Sequence, residues 1–189
     1  SYTKNFLGIH VNSTMQNPLL DFSGLPQFDR IQPEHITPAL DTLIQQGKQT
    51  IQQLAISDAA PTWQNFAEPL EQIEEKLSRA WSQVGHMNAV VNSPALREAY
   101  NDNLPKLTDF YSDLAQDERL YNKFKALKAS REYASLTQAQ KKIIDNEIRD
   151  FKLGGAELPP AQKQRFKQIQ EQLSKLTTKF EENIMDTVD

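Results

Sequence analysis

The 189-residue chain contains no cysteine. That excludes disulfides, thiolate nucleophiles, iron–sulfur clusters and cysteine-based zinc sites, and it is compatible with a reducing compartment. Valine occurs only 5 times and glycine 6, against 20 leucines and 19 glutamines, so strand formers and tight-turn residues are scarce beside straight-chain helix formers. The composition predicts an all-α protein. No apolar run approaches the roughly 18 residues that span a bilayer. Lys plus Arg is 21 and Asp plus Glu is 25, a net charge of −4. The broad positive field of a nucleic-acid or anionic-membrane binder is missing, so neither is an expected partner.

Residues 1–14, SYTKNFLGIHVNST, have no amphipathic period and no basic stretch followed by a hydrophobic one. They read as a leader or a remnant outside the fold, ahead of the methionine at position 15, and residues 15–189 read as one helical domain. Residues 17–33 carry three prolines and one glycine among scattered apolar residues, which suits an extended N-terminal arm packed on a surface.

Prolines and side-chain caps divide the remainder of the chain into helices. Thr37-Pro38 offers an N-cap and first position for a helix over 38–56, with Leu40, Leu43, Ile44, Ile51 and Leu54 on one face. Trp63–Ala67 reads as a short turn, and Pro69 starts a second long helix to Asn92. Its stripe is Leu70, Ile73, Leu77, Trp81, Val84 and Val91, with Asn88 in the same sector. Ser93-Pro94 opens a third helix carrying Leu96, Tyr100, Leu104, Leu107, Tyr111 and Leu114, with a bend expected near Asn101 because Pro105 removes a donor. Asp117 caps a short helix with Leu120, Phe124 and Leu127 inward. Thr137 caps another with Gln140, Ile144, Ile148 and Phe151 in sequence, closed by Gly154-Gly155.

Pro159-Pro160 opens the last element. Phe166, Ile169, Leu173, Leu176 and Phe180 are spaced 3, 4, 3, 4, a heptad seam extended by Ile184. A helix of about 25 residues is roughly 37 Å long, so it either protrudes or pairs antiparallel with another long helix. The seam continues to the last residues, and the polypeptide reads as truncated. Leu77 and Leu173 both sit at the centre of apolar stripes, so an aspartate at either is expected to be strongly destabilising, whereas Lys175 lies on a polar face. The predicted fold is an all-α, multi-helix bundle with long antiparallel helices and an extended N-terminal arm.

The chain has three histidines. His10 is followed by Val11, His35 by Ile36 and His86 by Met87, so the zinc-peptidase motif HExxH, two imidazoles one helical turn apart, does not occur. Leu7, Gln32 and Gln83 stand three residues before them, which removes the Glu-x-x-His pair of di-iron bundles as well. His86 lies opposite its helix's apolar stripe, near Arg79 and Gln83, as a contact residue or a solvated one. His35, at a helix entrance, reads as capping or packing. Glu71, Glu74 and Glu75 cluster near a helix start, where negative charge offsets the macrodipole. Lys163, Lys167, Lys175 and Lys179 form a mostly basic stripe with Glu171 among them, read as a solvated face. No catalytic residue, metal ligand or substrate-binding residue is assigned.

Four passages carry a family resemblance in order along the chain. They are NPLLDFSGLPQFDRIQPEHITPAL (17–40), with Pro33-Glu34-His35-Ile36 at its centre, and GHMNAVVNSPALREAYNDNLPKL (85–107), with Ser93-Pro94, Leu96, Arg97, Ala99 and Tyr100. AQKKIIDNEIRDFKLGGAELP (139–159) and QLSKLTTKFEENI (172–184), with Phe180 and Asn183, complete the set. Residues 15–189 resemble the N-terminal part of the M3 family of zinc oligopeptidases, relatives of thimet oligopeptidase and neurolysin. The resemblance implies a cytoplasmic parent enzyme that cleaves short peptides, including spent signal peptides, inside a deep channel of which these helices form one wall. It places HExxH and the zinc in the later, catalytic part, so this chain has no cofactor of its own, is expected to be inactive alone, and has the catalytic remainder as its partner. The competing reading is a free-standing helical protein-interaction module without enzymatic activity.

Overall fold

The computed structural model describes residues 17–188. The reading of residues 1–14 as a leader or remnant lies outside them. Among the described residues there are seven α-helices and no strand: α1 Pro33–Ile56, α2 Glu68–Val91, α3 Pro94–Ala115, α4 Glu118–Ala129, α5 Arg131–Ser135, α6 Gln138–Leu153 and α7 Pro160–Val188. The all-α expectation holds. No helix among the described residues is long and apolar enough to cross a membrane.

The first helix begins five residues earlier than the Thr37-Pro38 pair suggested, at Pro33. Pro33 itself supplies the first helical position, and the N–H of Gln32 donates to His35 Nδ1 at 2.9 Å, so the entrance is completed upstream. Pro38 is tolerated inside α1 because it lies on the exposed side, where the carbonyl one turn earlier can tilt toward water. Helix α2 is preceded by a π-helical turn, Trp63–Ala67. Its entrance is a reciprocal pair: Thr62 Oγ1 accepts the Asn65 N–H at 3.0 Å, and Asn65 Oδ1 accepts the Thr62 N–H at 2.7 Å. Asn92 ends α2 with a positive φ of 47°, the left-handed geometry that asparagine tolerates better than most residues.

Asp117 caps α4 as expected, accepting from the Arg119 and Leu120 N–H groups. Thr137 caps α6 in a capping box with Gln140. That helix closes in a Schellman motif: the Ala156 N–H reaches the Phe151 carbonyl at 3.0 Å and the Gly155 N–H reaches Lys152 at 3.3 Å. Gly155 has φ +93°, which a side chain would strain. Helix α5 was not anticipated, because five residues with none buried leave no periodic signal.

The described residues fall into two compact units. The first comprises the described residues up to Gln46 and Ile73–Leu104, and the second Gly47–Gln72 and the described residues from Pro105 onward. Helices of 22–24 residues are longer than one small core requires, so α1, α2 and α3 each contribute to both. In the first unit the core holds Leu19, Ile36, Leu40, Leu77, Val84 and Leu96. The arm expectation is met there: two 3-10 turns, Pro18–Leu20 and Phe28–Arg30, carry Leu19 and Ile31 to burial. In the second unit, Phe66 and Phe151 flank Phe124 at 4.7 and 5.6 Å between ring centroids, beside Leu120, Leu127 and Ile144.

Three faces differ from the sequence reading. Val91 is 51% exposed and Tyr111 36%; Asn88, already placed in the α2 sector, is buried, and on α3 the buried ring is Phe110, 2% exposed. Gln83, placed on the solvent side, is buried. The largest difference is α7. None of its residues is buried, and its apolar seam is open, with Leu173 52% and Leu176 64% exposed. The expected destabilisation by Leu173→Asp is therefore withdrawn for this chain, whereas Leu77, fully buried, retains it.

Candidate functional site

In the first unit the arm clasps one flank of α2. The Phe22 ring lies 5.7 Å from Lys76 Nζ and 5.8 Å from Arg79 Cζ, both within cation–π range. The Arg79 guanidinium donates to the Gly24 carbonyl. The Phe28 ring then packs on His86 with centroids 4.7 Å apart at 52°. Asp21 turns the chain at the start of these contacts. It accepts the Ser23 hydroxyl and N–H at 2.5 and 3.0 Å, which holds its carboxyl below the ordinary carboxylate range. The exposed face of this clasp shows Leu25, 89% exposed.

His86 is thus a contact residue, and its partner is the chain's own arm. The sequence could not pair it with Phe28, because nothing local links residues 58 positions apart. His35 takes the capping role: besides its Nδ1 contact, its carbonyl accepts Asn17 Nδ2 at 2.8 Å. His10 lies outside the described residues. Glu71 and Glu74 are half-buried and Glu75 is exposed along the start of α2. Among the described residues no three His, Cys, Asp or Glu side chains gather closely enough to hold a metal ion.

The lysines of α7 do not act as one stripe. Lys167 Nζ donates to Asp113 Oδ1 at 2.8 Å, and this bond holds the ammonium pKa above its ordinary value. The Lys163 carbonyl accepts Gln116 Nε2 at 3.0 Å, and Lys175 and Lys179 are exposed. Ser174 and Thr108 share a hydroxyl–hydroxyl bond at 3.1 Å. In the second unit α7 is therefore held through polar side chains, while Ile169, Leu173, Leu176, Phe180 and Ile184 remain 41–64% exposed.

The family described as Neurolysin/Thimet oligopeptidase, N-terminal domain, matches residues 40–165. This chain belongs to that family. Within it, oligopeptidase A of Haemophilus influenzae is 45% identical over 92% of the chain, and that of Escherichia coli K12 is 39% identical over 91%. A probable cytosolic oligopeptidase A of Arabidopsis thaliana is 34% identical over 90%. The chain spans about a quarter of the length of these relatives, 25%, 25% and 24% respectively. The resemblance in the sequence is thereby established for the oligopeptidase N-terminal domain.

Proposed function

We propose that the chain serves as the non-catalytic helical N-terminal part of a zinc-dependent, oligopeptidase A-like metallopeptidase. In this reading the remainder of the enzyme carries HExxH and the zinc, works in the cytoplasm on short peptides, including spent signal peptides, and has these helices as one wall of its substrate channel. The supporting observation is the family match over residues 40–165 in a chain a quarter as long as its relatives. The residues here do not fit a zinc site of their own. The sequence has no HExxH, and His35 and His86 are committed to a helix entrance and to Phe28. The contribution of this part is steric: packed helices restrict entry to chains thin enough to pass.

The test is a chimera in which residues 17–189 replace the matching N-terminal quarter of the Haemophilus influenzae relative. Hydrolysis of short peptides by the chimera, with none by the chain alone, is expected. A folded chimera that leaves short peptides intact defeats the reading. The competing interaction-module reading predicts that outcome, together with a stop codon where the coding sequence would otherwise continue to HExxH.

A further inference from the structure

Helix α7 is mounted with its polar side inward. Its half-buried residues include Lys163, Lys167, Glu171, Ser174, Thr178 and Glu182, all polar, with Phe166 and Met185 as the half-buried apolar residues toward its two ends. The polar six recur every three or four positions and define one face, anchored by Lys167 to Asp113 and by Ser174 to Thr108. At 100° per residue the seam Ile169, Leu173, Leu176, Phe180 and Ile184 lies roughly 150° around the helix from that face. An amphipathic helix ordinarily turns its apolar stripe toward its own core. Here five large apolar side chains in a row point away from it, between 41 and 64% exposed. A contiguous patch of this kind marks a surface that something else covers.

Two observations indicate what covers it. The N-terminal-domain match ends at residue 165, before the seam begins. The Haemophilus influenzae match covers 92% of the chain, a share that the first 165 residues cannot supply, so it runs on into α7. The seam therefore follows the stretch that defines the domain and belongs to a portion shared with relatives about four times as long. It stands at the domain's border, in proteins with three-quarters of their length still to place.

We propose that the α7 seam is the docking surface for that remaining polypeptide, which meets it with an apolar helix stripe packed between Ile169 and Ile184. This rests on the function proposed above and names the surface by which the part joins the whole. The polar face keeps α7 in place while the apolar face is open; docking then covers the seam without repacking the unit's own core.

Paired variants test it. Leu173→Ser/Leu176→Ser removes the middle of the seam, and Lys175→Ser, on the exposed polar side, is the control. In the isolated chain neither is expected to shift the melting temperature. In the chimera the double variant is expected to lower it by roughly 5 °C or more and to speed proteolysis, while the control leaves both unchanged. A chimera indifferent to the double variant overturns the proposal. A concentration-dependent dimer of the isolated chain, abolished by the double variant, also overturns it and assigns the seam to a second copy. As a measurement independent of the chimera, the catalytic three-quarters of the relative is co-expressed with the tagged chain. Co-purification with the parent sequence and with Lys175→Ser, but not with the double variant, supports the proposal, and no complex with the parent sequence overturns it. Because these readouts are stability and association, a seam-sensitive chimera without peptidase activity would sink only the functional reading.

Discussion

Asn103 of α3 donates through Nδ2 to Thr37 Oγ1 of α1 at 2.8 Å, and to its own helix at the Ala99 carbonyl at 2.7 Å, with no part of Asn103 exposed. A buried amide is costly unless paired, so this bond ties two helices at a fixed register. Thr37→Val keeps the side chain's shape and removes the acceptor. Its expected cost is about 1–3 kcal/mol, read from urea denaturation, because the Asn103 N–H then loses a partner in the interior.

Leu77→Ala is expected to cost about 2–5 kcal/mol, since a fully buried leucine leaves a cavity behind. Leu173→Ala in the isolated chain should change stability by less than about 0.5 kcal/mol, because half of that side chain already faces solvent. Equal losses in denaturant melts of the two variants would contradict the outward assignment of the seam.

These two leucines also show how far the sequence could be read. Both sit at the centre of a regular apolar stripe, and periodicity alone gives them the same environment. Periodicity identifies the helix and its apolar side; what lies opposite that side is a tertiary fact. Caps were legible where side chain and backbone are neighbours, as at Asp117 and Thr137. Local chemistry misled at Thr37-Pro38, because a proline can also lie on the exposed side within a helix. The arm clasp was invisible, since Phe22, Gly24 and Phe28 meet Lys76, Arg79 and His86 only after folding.

Gly155→Ala should destabilise by about 1 kcal/mol or more, because alanine resists a positive φ and its Cβ would stand 2.8 Å from Leu158 Cδ1. Gly154→Ala meets a different obstacle. Its Cβ would lie 2.6 Å from Ala115 Cβ and 3.0 Å from the Asp150 carbonyl oxygen. Thermal melts of both variants should fall below the parent, with Gly154→Ala the lower, since neither of its neighbours is a flexible side-chain tip.

Asp145 accepts the Lys128 ammonium at 2.9 Å and the Tyr133 hydroxyl at 2.9 and 3.0 Å, and the lysine bond is the main reason its carboxyl is held below the ordinary value. A depressed carboxylate stabilises the fold above its unfolded pKa and loses that contribution as pH falls through the folded one. The difference in melting temperature between the parent and Asp145→Asn should therefore be constant near neutrality and shrink below about pH 4. Both side chains of the pair are nearly half exposed, so screening keeps the effect small and salt-sensitive.

The purified chain is expected neither to hold zinc at one-to-one stoichiometry nor to cleave peptides. Metal analysis after dialysis and a fluorogenic-peptide assay check both. One tightly held zinc, lost with activity on replacing His35 and His86, would refute this.

The two tryptophans of the chain fall in different compact units, Trp81 in the first and Trp63 in the second. Trp81 stacks on Tyr100 with ring centroids 4.7 Å apart and planes 20° from parallel, close enough for the tyrosine to pass its excitation to the indole. Trp63 is fixed through its backbone N–H, which donates to Glu132 at 3.2 Å. Each unit thus holds its own fluorophore. Phenylalanine at either position leaves a single tryptophan, and with excitation selective for indole the pair of variants turns an ordinary emission melt into two separate records of whether the units unfold at one temperature or at two.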